Sequence, residues 1–310
     1  MKPQHSARKH GKPMKSELVM ILVAMASALV LMGMLIACIP YYDTGTREIA
    51  DPEPLLQQQR EQEQEEPPEE PPTEETQMPT VPPEKNPYNR RDFQFDSHNY
   101  LLCTQQDSYP GIDVSSFQGL IDWQKVKASG IRFAMIRLGY RGYTQGAIQT
   151  DSCFYQNIQG ALDAGLDVGV YFFSQAITPE EARQEADYVL SLLESYTITC
   201  PVVYDWEPIT FAEGARTDQL ENEVLTQCAA AFCQQIAQAG YTPAVYFNQE
   251  MGYFSFDLKE LSPFQFWLAE YDSYPSFYYG FTMWQYTHEG RVDGIQTPVD
   301  WNLDFSGLKR

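Results

Sequence analysis

Short apolar runs alternate with segments of helical periodicity from residue 108 to the C-terminus. The apolar runs are typical of buried strands, and they fall at 111–115, 131–138, 168–173, 201–204, 244–247, 266–269 and 281–286. Strands separated by helices indicate a parallel sheet. Seven or eight such strands in about 200 residues predict an α/β fold, an irregular TIM-like (β/α) barrel.

Helices are predicted between these strands at 154–165, 179–193 and 222–239. The second begins after Thr178 with Pro at its first position and Glu in its first turn, which is the pattern of a capping box. Gly240 closes the third helix. The alternation of strand and helix therefore covers nearly all of the region 108–310, which we interpret as one domain.

The N-terminus predicts a membrane anchor. Residues 1–17 carry a net charge of +4, and 18–39 is a stretch of 22 residues without a charge. About 20 apolar residues cross a bilayer as a helix, and a basic flank stays in the cytoplasm. The predicted localisation is thus the cell membrane, with a single pass and the domain outside. A lipoprotein signal is the alternative, because Leu35 to Cys38 resembles a lipobox with Cys38 as the acylated residue.

An acidic linker is predicted over 40–107. Its stretch 43–85 holds 13 Asp and Glu residues and nine prolines. Such a segment buries too little apolar surface to order itself, and like charges extend it. The predicted organisation is therefore a basic tail (1–17), an anchor (18–39), a disordered linker (40–107) and a globular domain (108–310).

Composition restricts the partners. The net charge of −21 argues against binding to nucleic acid. The four His residues form no cluster, so neither a metal site nor another cofactor is expected. An outer compartment permits disulfides but leaves their pairing open. The cysteines outside the apolar stretch are Cys103, Cys153, Cys200, Cys228 and Cys233.

Acidic residues follow the apolar runs at four places, namely Asp113, Asp205, Glu207 and Asp300. Asp205 and Glu207 are two residues apart, so on a strand they share a face at a separation of roughly 6.6 Å. In barrels of this kind the chemistry lies at the C-terminal ends of the strands. Paired carboxyl groups there are suited to breaking a glycosidic bond.

Six ordered blocks resemble a known family. They read GIDVSSFQGLIDW, FAMIRLGY, DVGVYFFSQAITPEEA, PVVYDWEPI, FWLAEY and MWQYTHEGRVDGI followed by VDWN. They are similar to glycoside hydrolase family twenty-five, the Chalaropsis-type lysozymes, from about Tyr109 to the C-terminus. The resemblance implies an N-acetylmuramidase that acts on peptidoglycan strands, cleaving the β-1,4 bond between N-acetylmuramic acid and N-acetylglucosamine.

The resemblance also implies roles for the four acids. Glu207 would be the general acid. Asp205 would stabilise the charge that develops on the sugar, or orient its 2-acetamido group. Asp113 and Asp300 would bind substrate and tune the pair.

A substrate groove is expected around these acids. Its predicted lining residues are Arg137, Tyr140, Tyr171, Trp267, Trp284, Gln285 and Tyr286. For Arg137 three partners stay open: a catalytic carboxylate, an acidic group of the substrate, or a structural ion pair. Trp206 is expected to pack away from the groove, since its neighbours Asp205 and Glu207 face into it.

Other functions remain as alternatives. A chitinase-like D-x-D-x-E signature would need an acid at position 203, where the chain has Val203. A catalytically silent module that binds peptidoglycan, or a scaffold of the cell envelope, would keep the same fold. The predicted anchor favours remodelling of the cell's own wall over export.

Overall fold

The computed structural model describes residues 81–307. The predicted basic tail, the anchor at 18–39 with Cys38, and residues 40–80 of the predicted linker lie outside these residues. Within 81–307 no helix combines the length and the apolar character that a membrane crossing requires.

Eleven strands and five α-helices lie in the described part of the chain. The strands are β1 (Phe93–Phe95), β2 (Leu101–Cys103), β3 (Tyr109–Val114), β4 (Phe133–Arg141), β5 (Ile148–Thr150), β6 (Asp167–Ser174), β7 (Val202–Trp206), β8 (Pro243–Asn248), β9 (Gln265–Ala269), β10 (Met283–Gly290) and β11 (Val299–Asp304). The helices are α1 (Trp123–Ala128), α2 (Phe154–Asp163), α3 (Pro179–Leu193), α4 (Asn222–Gln238) and α5 (Gln249–Phe254).

Eight of the strands close into a barrel in the order β3-β11-β10-β9-β8-β7-β6-β4, and β4 pairs again with β3. The predicted irregular (β/α) barrel is confirmed. The prediction of a wholly parallel sheet is wrong at two strands, because β11 is antiparallel to β10 and β3, and β5 is antiparallel to β4. The connections 142–147 and 291–298 are shorter than the dozen or so residues that a parallel crossover needs.

The three predicted helices are present. The hydroxyl of Thr178 accepts a hydrogen bond from the amide of Glu181 at 3.3 Å and so caps α3, as the capping pattern predicts. Helices α1 and α5 were not predicted, since six residues are too few to show helical periodicity.

Side chains alternate between the barrel interior and the outer core along each strand. The interior holds Phe133, Met135, Val203, Ala244, Tyr246, Trp267, Ala269 and Met283. Gly111 makes room for this cluster, because a Cβ added there would lie 2.3 Å from the ring of Phe133. The interior is thus filled by side chains.

The predicted linker boundary at residue 107 is wrong, because the chain is already packed against the barrel before it. Strands β1 and β2 pair with each other and lie on the outer faces of β10 and β11. The ring centroids of Phe93 and Trp284 are 5.2 Å apart, and those of Tyr100 and Trp301 are 4.9 Å apart. Leu101 donates its amide to the hydroxyl of Tyr286 at 3.4 Å. These apolar contacts make the stretch 93–103 part of the folded domain, although the segment before it is acidic.

Candidate active site

The four predicted acids meet at one end of the barrel. Asp113 lies near the C-terminal end of β3, Asp205 lies near that of β7, and Glu207 follows β7 directly. Asp300 is near the start of β11, but that strand runs antiparallel and pairs Asp300 with Asp113 in register. All four line one cavity of about 890 Å³.

Asp113 is buried and accepts two hydrogen bonds at its Oδ2 atom, from Gln285 Nε2 at 2.9 Å and from Asn302 Nδ2 at 2.8 Å. Burial raises its pKa well above the usual value, and the charge of Asp300 raises it further. In its protonated form Asp113 donates to the Asp300 carboxylate, which lowers the pKa of Asp300 against the larger effect of burial. Of these two groups, Asp113 therefore has the stronger tendency to keep its proton.

Asp205 and Glu207 form the second pair of acids. Asp205 is buried, and its Oδ1 atom has no hydrogen-bond partner among the described residues. Burial raises its pKa well above the usual value, with further contributions from the charges of Glu207 and Asp113. The pKa of Glu207 is raised by burial and by the charge of Asp113. A general acid must hold its proton near neutral pH, and a raised pKa allows a carboxyl group to do so.

A network of amides and hydroxyls holds Asp113 in place. Gln285 Oε1 accepts from the hydroxyls of Tyr246 at 3.0 Å and Tyr271 at 3.1 Å. Asn302 Oδ1 accepts from Trp267 Nε1 at 2.8 Å. Tyr246, Tyr271 and Asn302 were not predicted from the sequence as residues of the site. Asn302 lies two residues after Asp300 on one strand, so the two side chains share a face and Asn302 could have been predicted from this spacing.

Five of the seven predicted groove residues line the cavity: Arg137, Tyr140, Tyr171, Trp267 and Gln285. The prediction is wrong for Trp284 and Tyr286. Trp284 is fully buried in the outer core, where its Nε1 donates to the carbonyl of Glu270 at 2.8 Å. Tyr286 lies in the same outer core. Because Gln285 points into the barrel, its two neighbours on β10 must point away from it.

Arg137 pairs with Asp151, which is not one of the four acids. Its Nε and Nη2 atoms lie 2.8 Å and 2.7 Å from Asp151 Oδ2, and Nη2 also donates to Ser116 Oγ at 3.1 Å. Of the three open partners, the structure thus selects a structural ion pair. The charge of Arg137 still acts on the site, where it opposes the raised pKa of Asp205.

Trp206 packs away from the cavity, as predicted. It is buried in the outer core beside Phe256, with the ring centroids 6.2 Å apart. Within 81–307, no group of three or more His, Cys, Asp and Glu side chains is arranged to hold a metal ion. The five cysteines of this part of the chain are free thiols.

Comparison with known proteins agrees with this geometry. The sequence profile described as Glycosyl hydrolases family 25 matches residues 112–295. Lysozyme M1 of Streptomyces globisporus is 31% identical over 210 residues, which cover 64% of this chain and 67% of that protein. The autolytic lysozyme of Clostridium acetobutylicum is 28% identical over 199 residues, covering 64% of this chain but only 56% of that protein.

Solved structures share the fold. A family 25 glycosyl hydrolase from Bacillus anthracis superposes with a TM-score of 0.52 at 23% identity, over 64% of this chain and 89% of that one. The modular autolysin LytC of Streptococcus pneumoniae gives a TM-score of 0.55 at 24% identity, over 72% of this chain and 52% of that one. This chain thus spans about half of LytC. On the profile match and the Streptomyces relative, it belongs to glycosyl hydrolase family 25 and is a glycoside hydrolase.

Proposed function

We propose that this protein is a muramidase that hydrolyses the β-1,4 bond between N-acetylmuramic acid and N-acetylglucosamine in peptidoglycan. The observation that carries the proposal is the convergence of four carboxyl groups with raised pKa values in one open cavity. The relatives named as lysozymes support it, as does LytC, which has been solved with a synthetic peptidoglycan ligand.

Glu207 is the general acid of this proposal. It follows the last residue of β7, lines the cavity and has a raised pKa, so it can protonate the oxygen of the leaving sugar. Cleavage then builds positive charge on the other sugar ring, as in the oxocarbenium-like transition state of glycosidases. Asp205 stabilises that charge or orients the 2-acetamido group. Asp113 and Asp300 bind the sugar that lies against them in the cavity.

The site of action is a second part of the proposal. The chargeless stretch 18–39 behind a basic tail supports an anchor in the cell membrane, with lipid attachment at Cys38 as the alternative. A tethered enzyme would remodel wall within reach of its own membrane. Extraction of the full chain from cells without detergent would contradict the tether. Sensitivity of its processing to globomycin would favour the lipoprotein form.

The enzymatic proposal is tested with the full chain and purified peptidoglycan, by counting new reducing ends after borohydride reduction. Wild type should release muramic acid ends, whereas Glu207→Gln should be slower by roughly 10²–10⁴-fold, the usual loss when a general acid is removed. Glu194→Gln, at an exposed position after α3, is the matched control and should behave as wild type.

Three results would count against this assignment. Release of N-acetylglucosamine ends would contradict the muramidase specificity. Equal rates for wild type and Glu207→Gln would remove Glu207 from the role of acid. Binding of wild type to peptidoglycan without any release would favour the silent module that the sequence left open.

A further inference from the structure

Two phenylalanines that line the cavity are exposed to solvent. Phe117 is 76% exposed and Phe211 is 77% exposed, and both line the cavity that holds the four acids. A large apolar side chain that stays exposed forgoes the stabilisation that burial would give. Apolar surface that is rimmed by polar groups marks a place where a ligand binds.

These rings belong to a set of four aromatic side chains that line the cavity, the aromatic wall, which consists of Phe117, Tyr140, Tyr143 and Phe211. Phe211 packs edge-on against Tyr143, with centroids 5.5 Å apart and an interplanar angle of 87°. The guanidinium carbon of Arg137 lies 5.0 Å from the ring centroid of Phe117 and 5.7 Å from that of Tyr140. Phe117 and Tyr140 thus both lie beside Arg137, and Tyr143 and Phe211 pack against each other.

Arg216 fixes this wall in place. Its backbone amide donates to the carbonyl of Tyr143 at 2.9 Å, and its Nη2 atom donates to Glu181 Oε1 at 2.7 Å. Its guanidinium also packs on Gly146, where an added Cβ would lie only 2.1 Å away. The loop between β4 and β5 is thereby joined to the loop that carries Phe211. A wall that is ordered before binding loses little entropy when the ligand arrives.

The charge around the wall indicates which ligand it takes. The cations that line the described cavity are Arg137 and Arg141. Each is already paired with a buried carboxylate, Arg137 with Asp151 and Arg141 with Glu185. A peptide stem with free carboxylates would find no unpaired cation among the residues that line the cavity, whereas the partly apolar face of a sugar ring would find the apolar faces of aromatic rings.

We propose that the aromatic wall is a distal subsite for a neutral N-acetylhexosamine ring, beyond the two sugars that flank the scissile bond. Phe211 is four residues after Glu207, so their Cα atoms are at most about 14 Å apart. One glycan strand can therefore reach both residues. The proposal rests on the proposed function, because it assumes that the strand lies across the four acids.

The test separates binding from turnover. In the full chain carrying Glu207→Gln, dissociation constants are measured by calorimetry for peptide-free oligomers of alternating N-acetylglucosamine and N-acetylmuramic acid. Adding Phe211→Ala should weaken binding of the hexasaccharide about three- to tenfold, the range expected for one aromatic contact. The loss should shrink as the oligomer shortens to the disaccharide. Phe254→Ala is the matched control, since Phe254 is 74% exposed and lies outside the cavity lining.

Three outcomes would overturn the subsite. Phe211→Ala could weaken binding equally at every oligomer length, or it could leave binding of the hexasaccharide unchanged. It could also weaken binding only of oligomers that carry peptide stems. The last would assign the wall to the peptide. A lower Tm of Phe211→Ala would indicate misfolding. The binding measurements are then repeated with Phe211→Leu, which keeps the apolar bulk without a ring. If wild type shows no turnover while the length-dependent loss is present, the proposed function fails and the subsite stands.

Discussion

Gln175 donates a hydrogen bond from its side-chain Nε2 to the backbone carbonyl of Glu207 at 3.0 Å. It is fully buried directly after β6, and its Oε1 atom accepts from the hydroxyl of Thr217 at 2.7 Å. One side chain thus ties down both ends of the segment 207–217. That segment carries the proposed general acid at one end and Phe211 in its middle.

Gln175→Met is therefore expected to lower kcat by about 10–100-fold with a smaller change in KM, because a displacement of about 1 Å in a catalytic group costs up to 10²-fold. Methionine keeps the volume but offers Glu207 no donor. Steady-state kinetics on solubilised peptidoglycan measures the effect. Gln159→Met is the control, since Gln159 is exposed on α2 and bonds to Asp163. A folded Gln175→Met enzyme with wild-type kcat would refute the positioning role.

Asp205→Asn should raise the free energy of unfolding at neutral pH. Burial, Glu207 and Asp113 raise the pKa of Asp205 in the folded state above its unfolded value of about 3.9. The stability that such a group contributes is full below the unfolded pKa and is lost as pH rises through the folded pKa. The asparagine variant escapes that loss, so its gain in free energy of unfolding over wild type should be small near pH 3.5 and should grow as the pH rises to 7.

Urea unfolding followed by tryptophan fluorescence measures this difference at each pH. The signal reports on the barrel, because all five tryptophans of the chain lie in its described part. Asp218→Asn, at an exposed position, serves as the control and should follow wild type at every pH. An advantage of Asp205→Asn that is constant from pH 3.5 to pH 7 would show that titration of Asp205 is not its cause.

Leu101→Ala tests whether the segment before residue 107 belongs to the domain. Leu101 is 2% exposed in the outer core, whereas Leu120 is 81% exposed. Truncating a buried leucine costs 2–5 kcal/mol, and a surface change stays within about 0.5 kcal/mol. Leu101→Ala should therefore lower the free energy of unfolding by about 2–5 kcal/mol and Leu120→Ala should not. Equal and negligible effects would restore the linker boundary that the sequence predicted.

Individual strands and residues show how much of the fold and of the site could be predicted from the sequence. The positions of Asp113, Asp205 and Glu207 followed from the ends of apolar runs, since parallel strands bring their C-terminal ends to one rim. The direction of β11 did not follow, although the connection 291–298 was too short for a crossover. Trp284 was misplaced because aromatic character was weighed above the alternation that Gln285 imposes on its neighbours.

The three-residue strands β1 and β2 could not be predicted, because three residues are too few to establish a period of two. The acidic, proline-rich stretch before them favoured disorder across the whole interval. The ion pair of Arg137 with Asp151 was equally hidden, since 14 residues separate the partners and only the fold brings them together. Non-local contacts of this kind decide the details of the cavity wall.

A second buried ion pair involves Arg141, which also lines the cavity. Arg141 Nε donates to Glu185 Oε1 at 2.6 Å, and the side chains of both residues are buried. Burial raises the pKa of Glu185 to about 7 although Arg141 opposes the shift. The charged form of Glu185 is therefore costly in the folded state, and the cost appears as pH rises from its unfolded pKa of about 4.3 towards neutrality.

Arg141→Met should lower the free energy of unfolding by about 3–5 kcal/mol at pH 8, because it leaves Glu185 as a buried carboxylate without a counter-charge. At pH 5 Glu185 holds its proton in the folded state, so the loss should be smaller. The double variant Arg141→Met with Glu185→Met should regain most of the stability at pH 8, since a matched apolar pair replaces a buried ion pair at little cost. Urea unfolding at the two pH values gives all three comparisons. If the single and double variants are equally unstable at pH 8, the loss comes from the hydrogen bonds of Arg141 to Gly146 and Glu181 rather than from the stranded charge.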